Sequence, residues 1–555
     1  MMQQLFEFVS LFSVCVATLG AFALWWLGRR SRARAAEGAA LLASLPGSVA
    51  DRGGFWAHRE ASFVPLVQRH GRTFAYYVDE VGNFGTMRGK TMVATCEPAL
   101  VREILVKKAH TQRRPEQYRL ARFLPGLDGV LFQDGAVWEK HTKALFPNFQ
   151  GKHFRALGSA VQRIAARSVR AWGGSGSGSV DVLPLLHRIV TQCVVRVGFG
   201  LLPESAEGVA LAASLRTFME TEHALRESGF EALSVWGHLR AFFRAYSWFQ
   251  RDFSNVRAKV RPVLARTAAE RGGSGGRSGG DSKGWIELMR DAGIEEKAIS
   301  SEVNHLHDAH KALAVVLTFA LYRLAQPRAA VWVALMRRER AAAAAADTAD
   351  TAADGGNATG GLDALKLLPV TRAVFREVLR MHTISMGVVR TTGAPVQATV
   401  GAPSEAPREV TIPAGTDVLL LLHALHHLPE LWERPTEFEP QRWLRLDRAA
   451  CTAADLSSAL AESDAAPSAG DTLSSRIDVI GPHQKWTWFP FLDGRRQCAG
   501  RQLAEFEFTI ILHEVLDAFD IDDDASDTEL RLAPDFYPVP EQPVRLKLTR
   551  RAAVE

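Results

Sequence analysis

WFPFLDGRRQCAGRQLAEFEFTIILHEVL, residues 488–516, decides the fold of this chain, and its chemistry can be read residue by residue. Pro490 and Phe491 make an apolar, sharply turned wall. Gly494 and Gly500 permit tight backbone and close approach. Arg495 and Arg496 offer cationic forks for carboxylates. Cys498 stands just before a predicted helix, Gly500 to Phe519, whose N-terminal dipole favours the thiolate. A thiolate is a strong iron ligand, and Cys is one of the proximal ligands of haem proteins. A lone cysteine is more often a small buried hydrophobe, so C-x-G by itself favours a structural residue.

The full string F-x-x-G-x-R-x-C-x-G is far more specific. Phe491, Gly494, Arg496, Cys498 and Gly500 fill every fixed place. On these residues the chain resembles the cytochrome P-450 haem-thiolate enzymes, with Leu492 standing where that family usually has a small or polar residue. Three further matches follow the family's order. Glu377-Val-Leu-Arg380 resembles the E-x-x-R helix, in which residues three apart share a face and can pair. Pro435-Thr-Glu-Phe438-Glu-Pro440-Gln-Arg442-Trp443 resembles the P-x-x-F-x-P-x-R-W element. The resemblance implies that Glu377, Arg380 and Arg442 form one structural network near the cysteine loop. Asp134-Gly135-x-x-Trp138-x-x-His141 is similar to the helix that crosses a haem propionate. Four residues after that Trp the family usually has Arg; here it is Thr142, with Lys143 or His141 as substitutes. Arg390 sits where the family places another propionate ligand.

The resemblance covers about residues 60–550 and implies a mainly α fold with a small β portion, haem b as cofactor, and Cys498 as its axial thiolate. The composition agrees with one large catalytic unit. The chain has 555 residues, 47% apolar and 23% charged, which excludes disorder of the whole. Lys and Arg exceed Asp and Glu by 66 − 61 = 5, and much of that excess is one early cluster, so no basic stripe for nucleic acid is expected. The five cysteines, Cys15, Cys96, Cys193, Cys451 and Cys498, form no C-x-x-C pair, which argues against a disulfide framework or a cysteine-rich zinc site. No Rossmann or Walker glycine pattern occurs.

Phe8–Leu27 carries no charge and has about the 20 apolar residues that cross a bilayer. Trp25 and Trp26 close it, and Arg29, Arg30, Arg32 and Arg34 follow. A signal peptide has its charges before the apolar run, so residues 1–34 are read as a retained single-pass anchor with the remainder on the cytosolic side. That suits the endoplasmic reticulum membrane. Residues 35–59 then form a linker and 60–555 the catalytic domain. Low-complexity stretches near 172–179, 271–283, 341–361 and 449–475 are expected as surface loops. Long helices are predicted from Val303 to Leu324 and from Leu362 to Met381. Strands are predicted at Thr73–Val78, Thr91–Cys96, Glu409–Ile412, Asp417–Leu422 and Pro540–Thr549.

The resemblance breaks on the long central helix, where the family usually carries A-G-x-[D/E]-T-T to relay protons to iron-bound oxygen. That motif falls on Asp308-Ala309-His310-Lys311-Ala312-Leu313, so Lys311 replaces the acid and Ala312 the alcohol. His305, Ala309, Ala312 and Val316 share one helical stripe with Asp308 beside it, and this stripe is expected to face the haem. Asp308, His305 and Ala312 are therefore the distal candidates. His305, His307 and His310 do not collect three metal ligands on one face. His423, His426 and His427 are expected to be solvent-exposed or structurally hydrogen-bonded. The activity implied is a monooxygenase drawing electrons from an NADPH-dependent reductase and acting on a small, apolar molecule. The missing Thr leaves three alternatives: an isomerase or dehydratase, a peroxide-using member, or a non-catalytic haem binder.

Overall fold

The computed structural model describes residues 63–552, apart from 79–89, 116–128, 150, 174–178, most of 228–284, 354–367, 402–405, 459–476, 480, 482–485, 525–529 and 534–537. Some helical side chains, 151–157 and 303–309 among them, also lie outside the description. The expected anchor, the linker 35–59 and the stretch 271–283 are outside the described residues.

The chain begins with α1 (Phe63–His70), β1 (Thr73–Val78), β2 (Lys90–Thr95) and α2 (Pro98–Arg102), which runs into a π-helical turn at Glu103–Lys107. Next come α3 (Gly135–Leu145), α4 (Gly151–Arg170), β3 (Ser179–Asp181), α5 (Val182–Phe199), α6 (Ala206–Glu227), α7 (Trp285–Asp291), α8 (Glu296–Leu324) and α9 (Ala330–Ala353). Then α10 (Pro369–Met381) leads through β4 (Val388–Thr391), β5 (Val396–Val400), β6 (Arg408–Ile412) and β7 (Asp417–Leu420) to α11 (Leu422–Leu425). The remainder is β8 (Leu444–Leu446), β9 (Ala449–Ala450), β10 (Ile477–Val479), α12 (Arg501–Ala518), β11 (Phe519–Asp523), β12 (Leu532–Ala533), β13 (Val539–Pro540) and β14 (Arg545–Arg550). The result is mainly α with a small β portion.

Two apolar cores divide the work. The larger gathers α5, α8, α10 and α12: Leu186, Ile189, Cys193, Leu317, Leu321, Val374, Val378, Phe508 and Leu512 are buried in it. Each such large side chain contributes roughly 1.5–3 kcal/mol on burial. The smaller core backs the sheet β1-β2-β7-β4, in which only the β2–β7 pair is parallel. Among the described residues one helix, α5, is apolar and long enough to cross a membrane, but 61% of it is buried inside the protein, so it reads as a core helix.

Several sequence expectations shift. Of the helix predicted from Leu362 to Met381, residues 362–367 lie outside the described residues; the described helix runs from Pro369, a residue suited to a first helical turn because it lacks the N–H that a helix interior needs. The buried Glu339 carboxyl group of α9 accepts the Val370 and Thr371 N–H groups at 2.8 and 2.7 Å and so closes that start. The expected loop at 341–361 is helical as far as Ala353, since alanine is the strongest helix former. In the 449–475 stretch Ala449–Ala450 pairs with β8, and Leu456 is fully buried. The last predicted strand is split: Pro540 belongs to β13 and Arg545–Arg550 forms β14, with Pro543 between them.

Candidate active site

The cysteine loop leaves the smaller core at Phe489, which is buried. Leu492 N–H donates to Phe489 O at 3.1 Å, and Cys498 N–H donates to Phe491 O at 2.8 Å, so the loop folds back on its own backbone. Leu492 and Gly494 both take positive φ, 58° and 70°. For Leu492 this conformation is strained, which is why the family's smaller residue here is the easier choice. At Gly494 no side chain fits: a Cβ would lie 2.1 Å from Leu105 O in the π-helical turn. Gly500 differs. A Cβ there would meet Cys498 Sγ at 3.9 Å and Phe149 at 4.0 Å, so its own packing leaves room beside the sulfur that a side chain would fill.

Cys498 touches solvent, yet protein atoms crowd it on its other sides. Crowding dominates: burial raises the thiol pKa, and the opposing Gly500 N–H and Arg501 do not cancel it. The helix start does favour the thiolate, as expected, but burial outweighs it. A metal cation bound to the sulfur would favour its ionised form.

Beside the loop, Arg496 donates to Gln133 O at 3.1 Å, pairs with Asp134, and stacks 4.3 Å from the centre of the Trp138 ring; Arg495 covers the same ring at 5.6 Å. Burial, with Arg114 nearby, lowers the Arg496 pKa to about 10. Arg113 pairs with Thr391 in an antiparallel bridge, a register that sets Arg114 opposite Arg390. Both are buried, at 9% and 3% exposure. Like charges opposite each other are unfavourable unless an anion mediates. Arg114 and Arg390 on facing strands, with Arg496 near Arg114, bring together guanidiniums, a donor type suited to carboxylates. Arg114 was not anticipated. Its only local signal is Arg113-Arg114-Pro115, in which the proline favours extended backbone before it.

His141 and Lys143, the candidates for the role of the family's Arg, point in different directions. His141 is buried with Nδ1 3.3 Å from Glu302 Oε1 on α8, and Glu302 also accepts the Val130 N–H at 2.7 Å. Lys143 is on the exposed side of α3. At the Arg position itself, the Thr142 hydroxyl is buried with no hydrogen-bond partner among the described residues.

On α8, Ala312 is half-buried and Val316 buried. His310 and Lys311 are buried on other faces. His310 Nε2 lies 3.4 Å from Glu507 Oε2 of α12. Lys311 adjoins His187 of α5, whose pKa is lowered to about 4 by burial and then by that lysine. The side chains of His305, His307, Asp308 and Ala309 lie outside the described residues. Among the described residues no group of three His, Cys, Asp or Glu could hold a metal ion.

Glu377, Arg380 and Arg442 do come together. Glu377 Oε1 accepts from Arg380 Nη2 at 2.9 Å, and from Arg442 Nε and Glu439 N at 3.0 Å each. Its Oε2 accepts from Arg380 Nε at 3.0 Å and Trp443 Nε1 at 2.9 Å. Trp443 is the member that sequence reading missed. Of the three later histidines, His426 hydrogen-bonds Thr383 at 2.8 Å and His427 hydrogen-bonds the His423 carbonyl at 2.9 Å. Burial holds all three well below the ordinary imidazole range, His427 at about 4, so their role is structural and neutral.

Comparison with known proteins agrees with this arrangement. Residues 68–548 match the family model described as cytochrome P-450. Cytochrome P-450 734A4 of Oryza sativa subsp. japonica is 24% identical over 460 residues, covering 77% of this chain and 74% of the relative. The chloroplastic cytochrome P-450 97B2 of Glycine max is 27% identical over 460 residues, covering 78% and 74%. The mitochondrial cholesterol side-chain cleavage enzyme of Hypanus americanus is 25% identical over 185 residues, covering 33% and 27%.

Proposed function

The chain belongs to the cytochrome P-450 family, whose members are oxidoreductases that bind haem iron through a cysteine thiolate, and from that premise we propose that it is a membrane-anchored monooxygenase with Cys498 as the axial ligand. The observation that carries this reading is the cysteine loop, in which Phe491 O fixes the Cys498 amide and Gly494 admits no side chain. When bound, the haem supplies the iron at which molecular oxygen is activated. Arg114, Arg390 and Arg496 would hold its propionates, Phe491 would flank the sulfur, and Gly500 would leave room beside it. The electrons come from an NADPH-dependent reductase. The substrate is a small, apolar organic molecule.

Proton delivery on the distal side needs a group within hydrogen-bond reach, directly or through one water. Ala312 has none, and Lys311 faces α5. The delivery therefore falls to Asp308, with His305 or a polar group of the substrate as the other donors. If Asp308 is the donor, Asp308→Asn slows product formation roughly 10²–10⁴-fold while NADPH consumption continues. Full, tightly coupled activity in that variant moves the relay elsewhere.

The same Ala312 supports a second reading, an isomerase or dehydratase that rearranges an already oxygenated substrate and needs no such relay. Turnover with and without NADPH, reductase and oxygen separates them. A monooxygenase requires all three; an isomerase converts substrate alone; a peroxide-using member needs only peroxide. Residues 1–34 would hold the protein in the endoplasmic reticulum membrane with the catalytic domain in the cytosol. A C-terminal tag that protease cannot reach in sealed microsomes would contradict this placement.

A further inference from the structure

His426 follows α11 and is fully buried. Phe489 N–H donates to its Nε2 at 2.9 Å. A backbone amide can only donate, so Nε2 carries the lone pair and the ring proton sits on Nδ1. Nδ1–H then donates to Thr383 Oγ1 at 2.8 Å. The Thr383 hydroxyl passes its own hydrogen to Arg380 O at 3.1 Å or Leu379 O at 3.3 Å, at the end of α10. Arg380 Nη1 returns to the His426 carbonyl at 3.0 Å. The imidazole is thereby fixed in one tautomer by a ring of contacts with the E-x-x-R helix, leaving Nε2 aimed at the cysteine loop. Burial, then His427 and Arg380, keep it neutral.

Phe489 is where that loop begins. Its carbonyl takes the Leu492 N–H at 3.1 Å, and Phe491 O takes the Cys498 N–H at 2.8 Å. We propose that His426 is a positioning residue for Cys498: it registers the start of the loop against the Glu377–Arg380 network and so sets where the sulfur stands. The inference rests on the reading of Cys498 as the haem thiolate. No other described side chain links α10 to the Phe489 amide.

Two isosteres divide the bonds. Gln places an acceptor where Nε2 was and keeps the Phe489 contact; Asn places a donor where Nδ1 was and keeps the Thr383 contact. Asn orphans the Phe489 N–H, whereas in Gln the Thr383 hydroxyl still donates to a backbone carbonyl, so haem content and circular dichroism are needed to record the structural cost apart from the band share. The full chain is loaded with haem, and the reduced, carbon-monoxide-bound form is recorded for wild type, His426→Gln and His426→Asn, alongside haem content and circular dichroism. The readout is the share of the long-wavelength band given by a thiolate ligand against the shorter-wavelength band of a neutral one. The expected result is a near-normal share in His426→Gln and a ratio lowered on the order of 10-fold in His426→Asn, the scale of orphaning one buried amide. Equal shares in Gln and Asn, whether both normal or both lowered, overturn the inference. A wild type that lacks the thiolate band removes the Cys498 reading, and this inference with it.

Discussion

Glu377→Gln is the most informative single change in the scaffold of the site. The carboxylate is fully buried and accepts five donors, three on Oε1 and two on Oε2. Gln keeps the volume and one acceptor oxygen. Its amide nitrogen then faces either the Arg380 Nε–H and Trp443 Nε1–H or the other three donors, and Arg380, itself fully buried, loses its carboxylate partner. Breaking a buried pair from one side costs about 3–5 kcal/mol. An orphaned indole N–H would add roughly 1–3 kcal/mol in isolation, though coupled losses do not sum. Even the pair term alone is a large part of the ~5–15 kcal/mol that stabilises a typical fold. Urea unfolding followed by tryptophan fluorescence measures it, with haem retention as the functional readout. A shift below about 1 kcal/mol would refute the reasoning, because exposed ion pairs already reach that value. The acid limb gives an independent check. Burial pushes the Glu377 carboxyl up, but Arg380, Arg442 and the Glu439 amide outweigh it, and the net pKa lies below the ordinary 4.5. The network's contribution is therefore full above 4.5 and disappears as pH falls through the lower folded value; the Gln variant lacks this part of the acid transition.

Glu339 behaves in the opposite sense. Burial raises its pKa to about 8 against the bonds from Thr371 and Val370, so its contribution to stability is full below 4.5 and is lost as pH rises through about 8. Glu339→Gln is expected to flatten that alkaline decline, measured as urea stability against pH; an unchanged slope would contradict the assignment. Gly494→Ala places a Cβ against Leu105 O at 2.1 Å in a left-handed conformation, so a loss above about 3 kcal/mol, or a protein unable to retain haem, is expected. Normal haem content and stability in that variant would show that the loop can relax.

What was legible in the sequence was whatever depends on spacing. The loop from Phe491 to Gly500, the Glu377–Arg380 step on one helix face and the P-x-x-F-x-P-x-R-W element with Arg442 are local patterns; Glu377 pairs with Arg380 and with Arg442 in the fold. Contacts between distant segments were not legible. The Arg113–Thr391 bridge that brings Arg114 opposite Arg390, and the His426–Phe489 bond across 63 positions, depend on how segments meet in space. His141 illustrates the same limit: that its Nδ1 lies 3.3 Å from Glu302 Oε1 on α8 could not be read from its sequence neighbours. Cys498 shows where a local rule is overridden. A helix start favours a thiolate, yet desolvation is larger, and only the folded surroundings reveal which wins.

The central claim is that Cys498 is the axial ligand of a bound haem. Its most direct measurement is the difference spectrum of the reduced, carbon-monoxide-bound protein for wild type and Cys498→Ala, both shown to be folded by circular dichroism. Wild type is predicted to give the long-wavelength band of a thiolate ligand, and Cys498→Ala to lose it entirely. The same band in both proteins, or none in haem-loaded wild type, would contradict the account.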